Sequence, residues 1–260
     1  MYVKSKKSLG QNFLVDNNIL KKIVDVGKIS KIDSVIEIGP GTGNLTNYII
    51  DSQPKDITVV EKDSNLVKIL KNKFNNKINI INDDVLELDE NFYKKKFTVF
   101  GNLPYNISTQ ILANWCLNNN LRFKRLILMF QKEVADRIIA KVNTKEYSRI
   151  TILANWKFDI KKIFDVSPNC FFPRPKIEST LLEFLPKTDY IKIRNPKYLE
   201  KITKIFFSQR RKMIKKNFMK LFKDSNYMSK KLKIQLSDRP QNLSTDKFLM
   251  IIKEYENSLQ

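Results

Sequence analysis

The feature that most constrains this chain is an alternation of two periodicities. Short β-branched runs, Ser34 to Ile38, Ile57 to Glu61, Ile78 to Asn82, Phe97 to Gly101 and Arg125 to Gln131, read as strands, the first four each closed by a turn or polar residue. Between them, Leu45 to Ser52, Asn65 to Phe74 and Thr109 to Leu117 space their apolar residues by three and four, the stripe of an amphipathic helix. Strands joined through helices run parallel, because the helix carries the chain back to the end where the previous strand began. The expected fold is α/β, a parallel sheet with helices on both faces. Lys157 to Val166 and Ile177 to Leu185 read as two further strands with no helix between them. They predict a hairpin at the sheet edge and a mostly parallel sheet of seven strands.

After Pro186 the texture changes. Pro196 suits the first turn of a helix. From Lys201 to Lys223 there are nine basic residues and no acidic one, with Ile202, Ile205, Phe206, Met213, Phe218, Leu221 and Phe222 near helical spacing. The expected organisation is an α/β domain over residues 1–187 and a small, basic helical domain over residues 188–260.

Charge bears on the partner. The 260 residues carry 48 Lys and Arg against 27 Asp and Glu, a net charge of +21. Lysine outnumbers arginine 39 to 9, a bias that an A/T-rich genome produces without any functional demand. Such a bias does not cluster charge, yet residues 188–260 hold 18 basic and 7 acidic side chains, while the first 187 hold 30 and 20. A positive surface attracts polyanions by releasing their counterions, so nucleic acid is the expected partner. The longest apolar run is five residues, against about 18 for a membrane span. Lys4, Lys6 and Lys7 are followed by no apolar stretch before Asp16, so no signal peptide and no membrane are expected. The chain has no histidine, which excludes an imidazole base and His-rich metal sites, and no metal is expected. Cys116 and Cys170 offer neither a metal pair nor a disulfide framework, which points to a reducing cytoplasm. Nothing in the sequence hints at oligomerisation, and a monomer is expected.

Three of only six glycines, Gly39, Gly41 and Gly43, fall in one turn directly after the first strand. A glycine-rich turn between strand and helix lets backbone approach a ligand and aims helix N-terminal N–H groups at it. The spacing is G-x-G-x-G behind Glu37, not the G-x-G-x-x-G of dinucleotide binders. Glu61 ends the second strand 22 residues after Gly39, close to the offset at which a carboxylate receives ribose hydroxyls. Asp84, with Asp83 as its rival, follows the third strand, where it can accept from an adenine amino group.

Gly101-Asn102-Leu103-Pro104-Tyr105-Asn106 follows the fourth strand. The lone pair of an exocyclic amine on a purine is delocalised into the ring, so a methylating site must hold both amino hydrogens with acceptors. The Asn102 side-chain oxygen and the Leu103 carbonyl are suited to that. Pro104 fixes the turn, and Tyr105 offers a face on which a flipped base stacks. No general base is needed, because the methylated amine is strongly acidic and loses its proton to water.

The Gly turn resembles the first motif of S-adenosylmethionine-dependent methyltransferases. Lys7 to Leu14, Glu37 to Gly43, Asn102 to Ser108, Phe171 to Ser179 and Arg210-Arg211-Lys212 together resemble the ribosomal RNA adenine dimethyltransferase family, nearest its bacterial small-subunit branch. The resemblance implies a Rossmann-like class I methyltransferase sheet followed by a small helical domain. It implies S-adenosyl-L-methionine as cofactor, held by Asn12, Leu14, Gly39, Gly41, Glu61, Asp84 and Asn102. It also implies dimethylation of N6 on two adjacent adenines in a hairpin near the 3′ end of small-subunit (16S) rRNA during ribosome biogenesis. Phe171 is then expected over the target base opposite Tyr105, with Phe172 as the alternative ring. Arg210, Arg211, Lys212, Lys215 and Lys216 are expected on rRNA, and the small ribosomal subunit is the partner.

Four other readings compete. A large-subunit rRNA adenine methyltransferase of the macrolide-resistance type more often has Ile and Phe around the motif proline. A DNA adenine methyltransferase has no need of the Lys7 to Leu14 or Phe171 to Ser179 segments. A non-catalytic assembly factor would not need Gly39, Glu61, Asn102 and Tyr105 intact. A nicotinamide dehydrogenase is disfavoured by the glycine spacing and by the lack of a proton donor.

Overall fold

The computed structural model describes residues 11–88 and 95–259; Lys4 to Gly10, which carry the basic start and the opening of the N-terminal motif, lie outside them. In chain order the elements are β1 (Phe13–Leu14), α1 (Asn17–Gly27), β2 (Ser34–Ile38), α2 (Asn44–Asp51), β3 (Asp56–Val60), α3 (Ser64–Phe74), β4 (Asn79–Ile81), β5 (Phe97–Asn102) and α4 (Ser108–Leu117). There follow β6 (Phe123–Gln131), α5 (Lys132–Ile138), α6 (Arg149–Lys157), β7 (Phe158–Val166), β8 (Phe171–Phe172) and β9 (Ser179–Pro186). The last helices are α7 (Pro196–Phe207), α8 (Lys215–Met219), α9 (Ser225–Leu232) and α10 (Thr245–Ser258).

The chain divides into two compact units. The first gathers the described residues up to Leu112 with Asn120–Ala135 and Asp159–Pro186, and carries the seven-stranded sheet of order β4-β3-β2-β5-β6-β9-β7. β2 is paired in parallel with β3 on one side and β5 on the other, so the chain first builds outward through β3 and β4 and then crosses to β5. Ligands of open α/β sheets bind at such a reversal, beyond the carboxyl ends of the strands. Here that crevice lies between the residues after Ile38 and those after Gly101. All five residues of β2 are buried, which is why its sequence runs apolar instead of alternating.

The expected edge hairpin is present in altered form. β9 lies antiparallel to β6 and β7 flanks it at the edge, but the connection between them carries β8 out of the sheet. There β8 pairs antiparallel with β1, Phe13 opposite Phe172 and Leu14 opposite Phe171, a two-stranded ribbon that the local pattern did not announce. α1, α5 and α6 are also additional to the helices read from periodicity. α1 places Leu20, Ile23 and Val24 on the core under an Asp16 cap that accepts from the Ile19 N–H at 3.0 Å.

The second unit comprises Ala113–Asn119, Asp136–Phe158 and the chain from Lys187 onward. Pro196 opens α7, and the Asn195 side chain accepts from the Lys197 N–H to cap it. Phe206 and Phe207 meet Phe248 at ring separations of 5.5 and 5.8 Å and anchor α7 on α10. The Trp156 indole of α6 donates to the Ile191 carbonyl at 2.9 Å. The acid-free stretch is the end of α7, a run of turns and the short α8.

Candidate active site

Gly39, Gly41 and Gly43 all adopt positive φ, at 66°, 59° and 75°, where an L side chain is strained. A Cβ on Gly41 would meet the Phe13 ring at 2.7 Å, and one on Gly43 would meet the Phe74 ring at 2.4 Å. A Cβ on Gly39 would meet nothing nearer than the Asn102 carbonyl at 4.0 Å. The turn is therefore packed from behind at two positions and open at the third, where a ligand can lie against bare backbone. The turn borders a cavity of about 260 Å³, close to the lower size of small-molecule sites. Asn12, Leu14, Gly39, Gly41, Glu61, Asp84, Asn102, Leu103, Pro104 and Tyr105 all line it. Leu20, Ile23, Leu45, Met129 and Leu181 supply apolar wall.

Two buried carboxyls sit under the turn. Glu61 accepts from the Gly41 N–H at 3.2 Å through one oxygen and from the Asp63 N–H at 2.9 Å through the other. Burial raises its pKa against the lowering effect of those N–H groups. Each oxygen keeps a lone pair, so Glu61 can still receive ligand hydroxyls. Glu37, singled out only as the acid before the glycines, is 3% exposed and accepts from the Thr46 hydroxyl at 2.6 Å. Burial, reinforced by the Glu61 charge, pushes its carboxyl up to about 7. Asp84 carries a Lys62 ammonium at 2.7 Å and accepts from the Leu86 N–H; burial opposes its ionisation, but these partners hold its pKa below the usual value. Its rival Asp83 also lines the cavity and is more exposed.

Asn102 ends β5 at the crevice. Its Nδ2 donates to the Asn12 carbonyl at 2.9 Å. A carbonyl can accept only from the amide nitrogen, so this bond fixes which way the amide faces. The Tyr105 hydroxyl lies 2.8 Å from the Ser179 hydroxyl, and burial raises the phenol pKa, which keeps the ring neutral. Ser179 stood in the quoted sequence without a role; nothing local marks it as the partner of a residue 74 positions away.

One expectation is corrected. Phe171 is 3% exposed and packs in the core cluster with Leu14 and Leu181, so its ring is not free to cover a base. Residues alternate sides along a strand, and the neighbour on the other side, Phe172, is the 47% exposed ring.

The basic residues fall in the second unit and are of two kinds. Arg211, Lys212, Lys215 and Lys216 are exposed. Arg210 is held, its Nε donating to Gln241 at 3.1 Å and its Nη2 to the Thr144 carbonyl at 3.1 Å. Among the described residues no helix is long and apolar enough to cross a membrane.

Comparison with known proteins bears on this geometry. Residues 2–257 match the family model described as ribosomal RNA adenine dimethylase. The chain is 54% identical to a protein of Pelagibacter ubique named ribosomal RNA small subunit methyltransferase A, with 99% of each chain covered. It superposes on the crystal structure of a dimethyladenosine transferase from Plasmodium falciparum with a TM-score of 0.78 at 26% identity, over 94% of this chain and 98% of that one. A 23S rRNA methyltransferase, ErmE, shares the fold with a TM-score of 0.69 at 21% identity, over 94% and 99%.

Proposed function

This chain belongs to the ribosomal RNA adenine dimethylase family, and we propose from that premise that it dimethylates N6 of two adjacent adenines near the 3′ end of small-subunit rRNA. The observation that carries the reading is that the Asn102 to Tyr105 segment and the Gly39 turn with Glu61 border one cavity. A methyl donor and a target amine are thereby offered neighbouring places. The small-subunit assignment rests on the name and 54% identity of the Pelagibacter relative, against a likeness to the 23S enzyme that extends to the fold alone.

The residues fit S-adenosylmethionine. Open backbone at Gly39 admits the donor closely, Glu61 receives the ribose hydroxyls, and Asp84 receives the adenine amino group. Asn12 and Leu14 close the cavity from the N-terminal side. When bound, S-adenosylmethionine supplies an electrophilic methyl group on a sulfonium. The protein's part is then to present the amine. Asn102 Oδ1 and the Leu103 carbonyl hold the two amino hydrogens in place, which turns the lone pair out of conjugation with the purine. Tyr105 stacks on the extracted base, an interaction of about 1–3 kcal/mol that offsets part of the unstacking cost. The neutral Tyr105 phenol takes no proton, and the acidified product amine releases its own to water.

Arg211, Lys212, Lys215 and Lys216 face rRNA phosphates in this reading, and a cytoplasmic protein working on the small subunit follows from it. Incubating the purified chain with labelled S-adenosylmethionine and unmodified small subunits, then mapping the modified nucleotides, tests it. Two adjacent N6,N6-dimethyladenines near the 3′ end are expected; label only on large-subunit rRNA or on DNA would overturn the proposal.

A further inference from the structure

Residues 11–14 cross the cavity as a strap tied down at three places by three different elements. Gln11 Nε2 donates to the Asp63 carboxylate at 3.2 Å, at the N-terminus of α3. The Asn12 carbonyl receives Asn102 Nδ2 at 2.9 Å, at the end of β5. The Leu14 carbonyl receives Asn44 Nδ2 at 2.9 Å, from the first turn of α2. Phe13, between the last two ties, rests against the Gly41 backbone and pairs with Phe172. The middle tie differs from the others in its chemistry. It occupies the amide nitrogen of the residue whose amide oxygen the reaction needs, and a carboxamide has only those two faces to present.

We propose that the strap is a positioning device for Asn102: the Asn12 carbonyl holds Nδ2, leaving Oδ1 as the atom offered to the target amine, and Gln11 and Asn44 act as positioning residues that keep the carbonyl there. The inference rests on the functional reading above. A freed amide can rotate by half a turn and present NH₂ to an amine that has only hydrogens to give, which is an unproductive pairing. The strap thus does two tasks with one backbone segment, walling the donor site and orienting the acceptor. This goes beyond the donor contacts at Asn12 and Leu14, because its consequence survives when the donor is saturating.

The experiment compares the full chain with a Gln11→Ala, Asn44→Ala double variant, measuring kcat and KM for S-adenosylmethionine on unmodified small subunits, donor affinity by calorimetry, and melting temperature. A wild-type chain that binds no S-adenosylmethionine breaks the functional reading and is seen before any variant is compared. With wild type active, the expected result is a kcat at saturating donor lowered by about tenfold or more, the cost of a misoriented reacting geometry. A weakened donor affinity with kcat restored to wild type at saturation would overturn the proposal, since the strap would then serve binding alone.

An Asn102→Asp variant gives a second reading should the double variant fail to fold. A protonated Asp side chain at this position can donate to the Asn12 carbonyl, whereas the ionised one faces it with a second acceptor. Its activity relative to wild type is expected to fall as pH rises from about 5.5 to 8, through and above the carboxyl range. A ratio to wild type that is constant over that range, high or low, would overturn the proposed role of the carbonyl.

Discussion

The crevice of the sheet and the basic surface of the helical unit serve the same reaction with opposite constructions. In the crevice almost every functional atom is tied to something remote in sequence: Glu61 to the Gly41 backbone, Asn102 to Asn12, Tyr105 to Ser179. On the helical unit, Arg211, Lys212, Lys215 and Lys216 stand in solvent. The difference follows from what each must recognise. Placing an amine lone pair against a methyl group tolerates little error, so the groups involved are restrained. Attraction to phosphates depends on charge density and tolerates many geometries, so long side chains are left free. Arg210 sits on the wrong side of this division: it has the type of a phosphate ligand and the bonding of a structural residue.

The largest test of the contrast is a pair of rings. Phe171→Ala should lose about 3–5 kcal/mol of stability through the cavity it leaves, whereas Phe172→Ala should stay within about 0.5 kcal/mol of wild type. Urea denaturation of both variants measures this. Equal stabilities would mean that the ribbon of β1 and β8 does not anchor the crevice.

Asn102→Ala should lower turnover by about a hundredfold, roughly 2.7 kcal/mol of barrier, comparable to losing one preorganised polar group elsewhere in catalysis. Melting temperature and small-subunit affinity should remain those of wild type. Single-turnover kinetics decide the matter, and a rate above about a tenth of wild type would remove Asn102 from the reaction.

Next in size is the pH dependence that the buried acids impose. The Glu37 carboxyl is raised to about 7 in the folded protein from 4.5. Below 4.5 the group is protonated in both states and costs nothing. Between there and about 7 the unfolded chain ionises first and binds fewer protons, so stability falls as pH rises. Glu37→Gln keeps an acceptor for the Thr46 hydroxyl and removes this loss. Its advantage in denaturation experiments without cofactor should therefore grow from pH 5 to pH 8, up to about 3 kcal/mol. An advantage that shrinks with pH would show that the carboxylate is stabilised where it sits.

The smallest effects belong to the basic surface and sharpen its two classes. Arg211→Gln with Lys212→Gln should flatten the slope of log affinity for the small subunit against log salt by about 1.4 to 1.8, two phosphate contacts' worth. Arg210→Gln should leave that slope alone and cost about 1 kcal/mol of stability. A flattened slope from Arg210→Gln at unchanged stability would erase the distinction.

What the sequence by itself determined is what depends on neighbours along the chain. The alternation of strand and helix, the positive-φ turn that only glycines fill comfortably, the start of α7 at Pro196 and the Asn102 to Tyr105 segment after β5 were all legible, because backbone conformation and short-range chemistry produce them. Tertiary structure alone decided which groups meet. The pairing of β1 with β8 joins residues more than 150 positions apart, and no local periodicity carries such a register. That pairing turned Phe171 inward and Phe172 outward, since two adjacent strand residues must take opposite faces and only the packing chooses between them. The same holds for Glu37, an unremarked acid in sequence and a buried carboxyl in the fold, and for Arg210, whose charge suggested a phosphate until Gln241 and the Thr144 carbonyl took up its donors. Residue type states what a side chain is able to bind; which partner lies within about 3 Å of it is settled by chain segments that the local sequence does not mention.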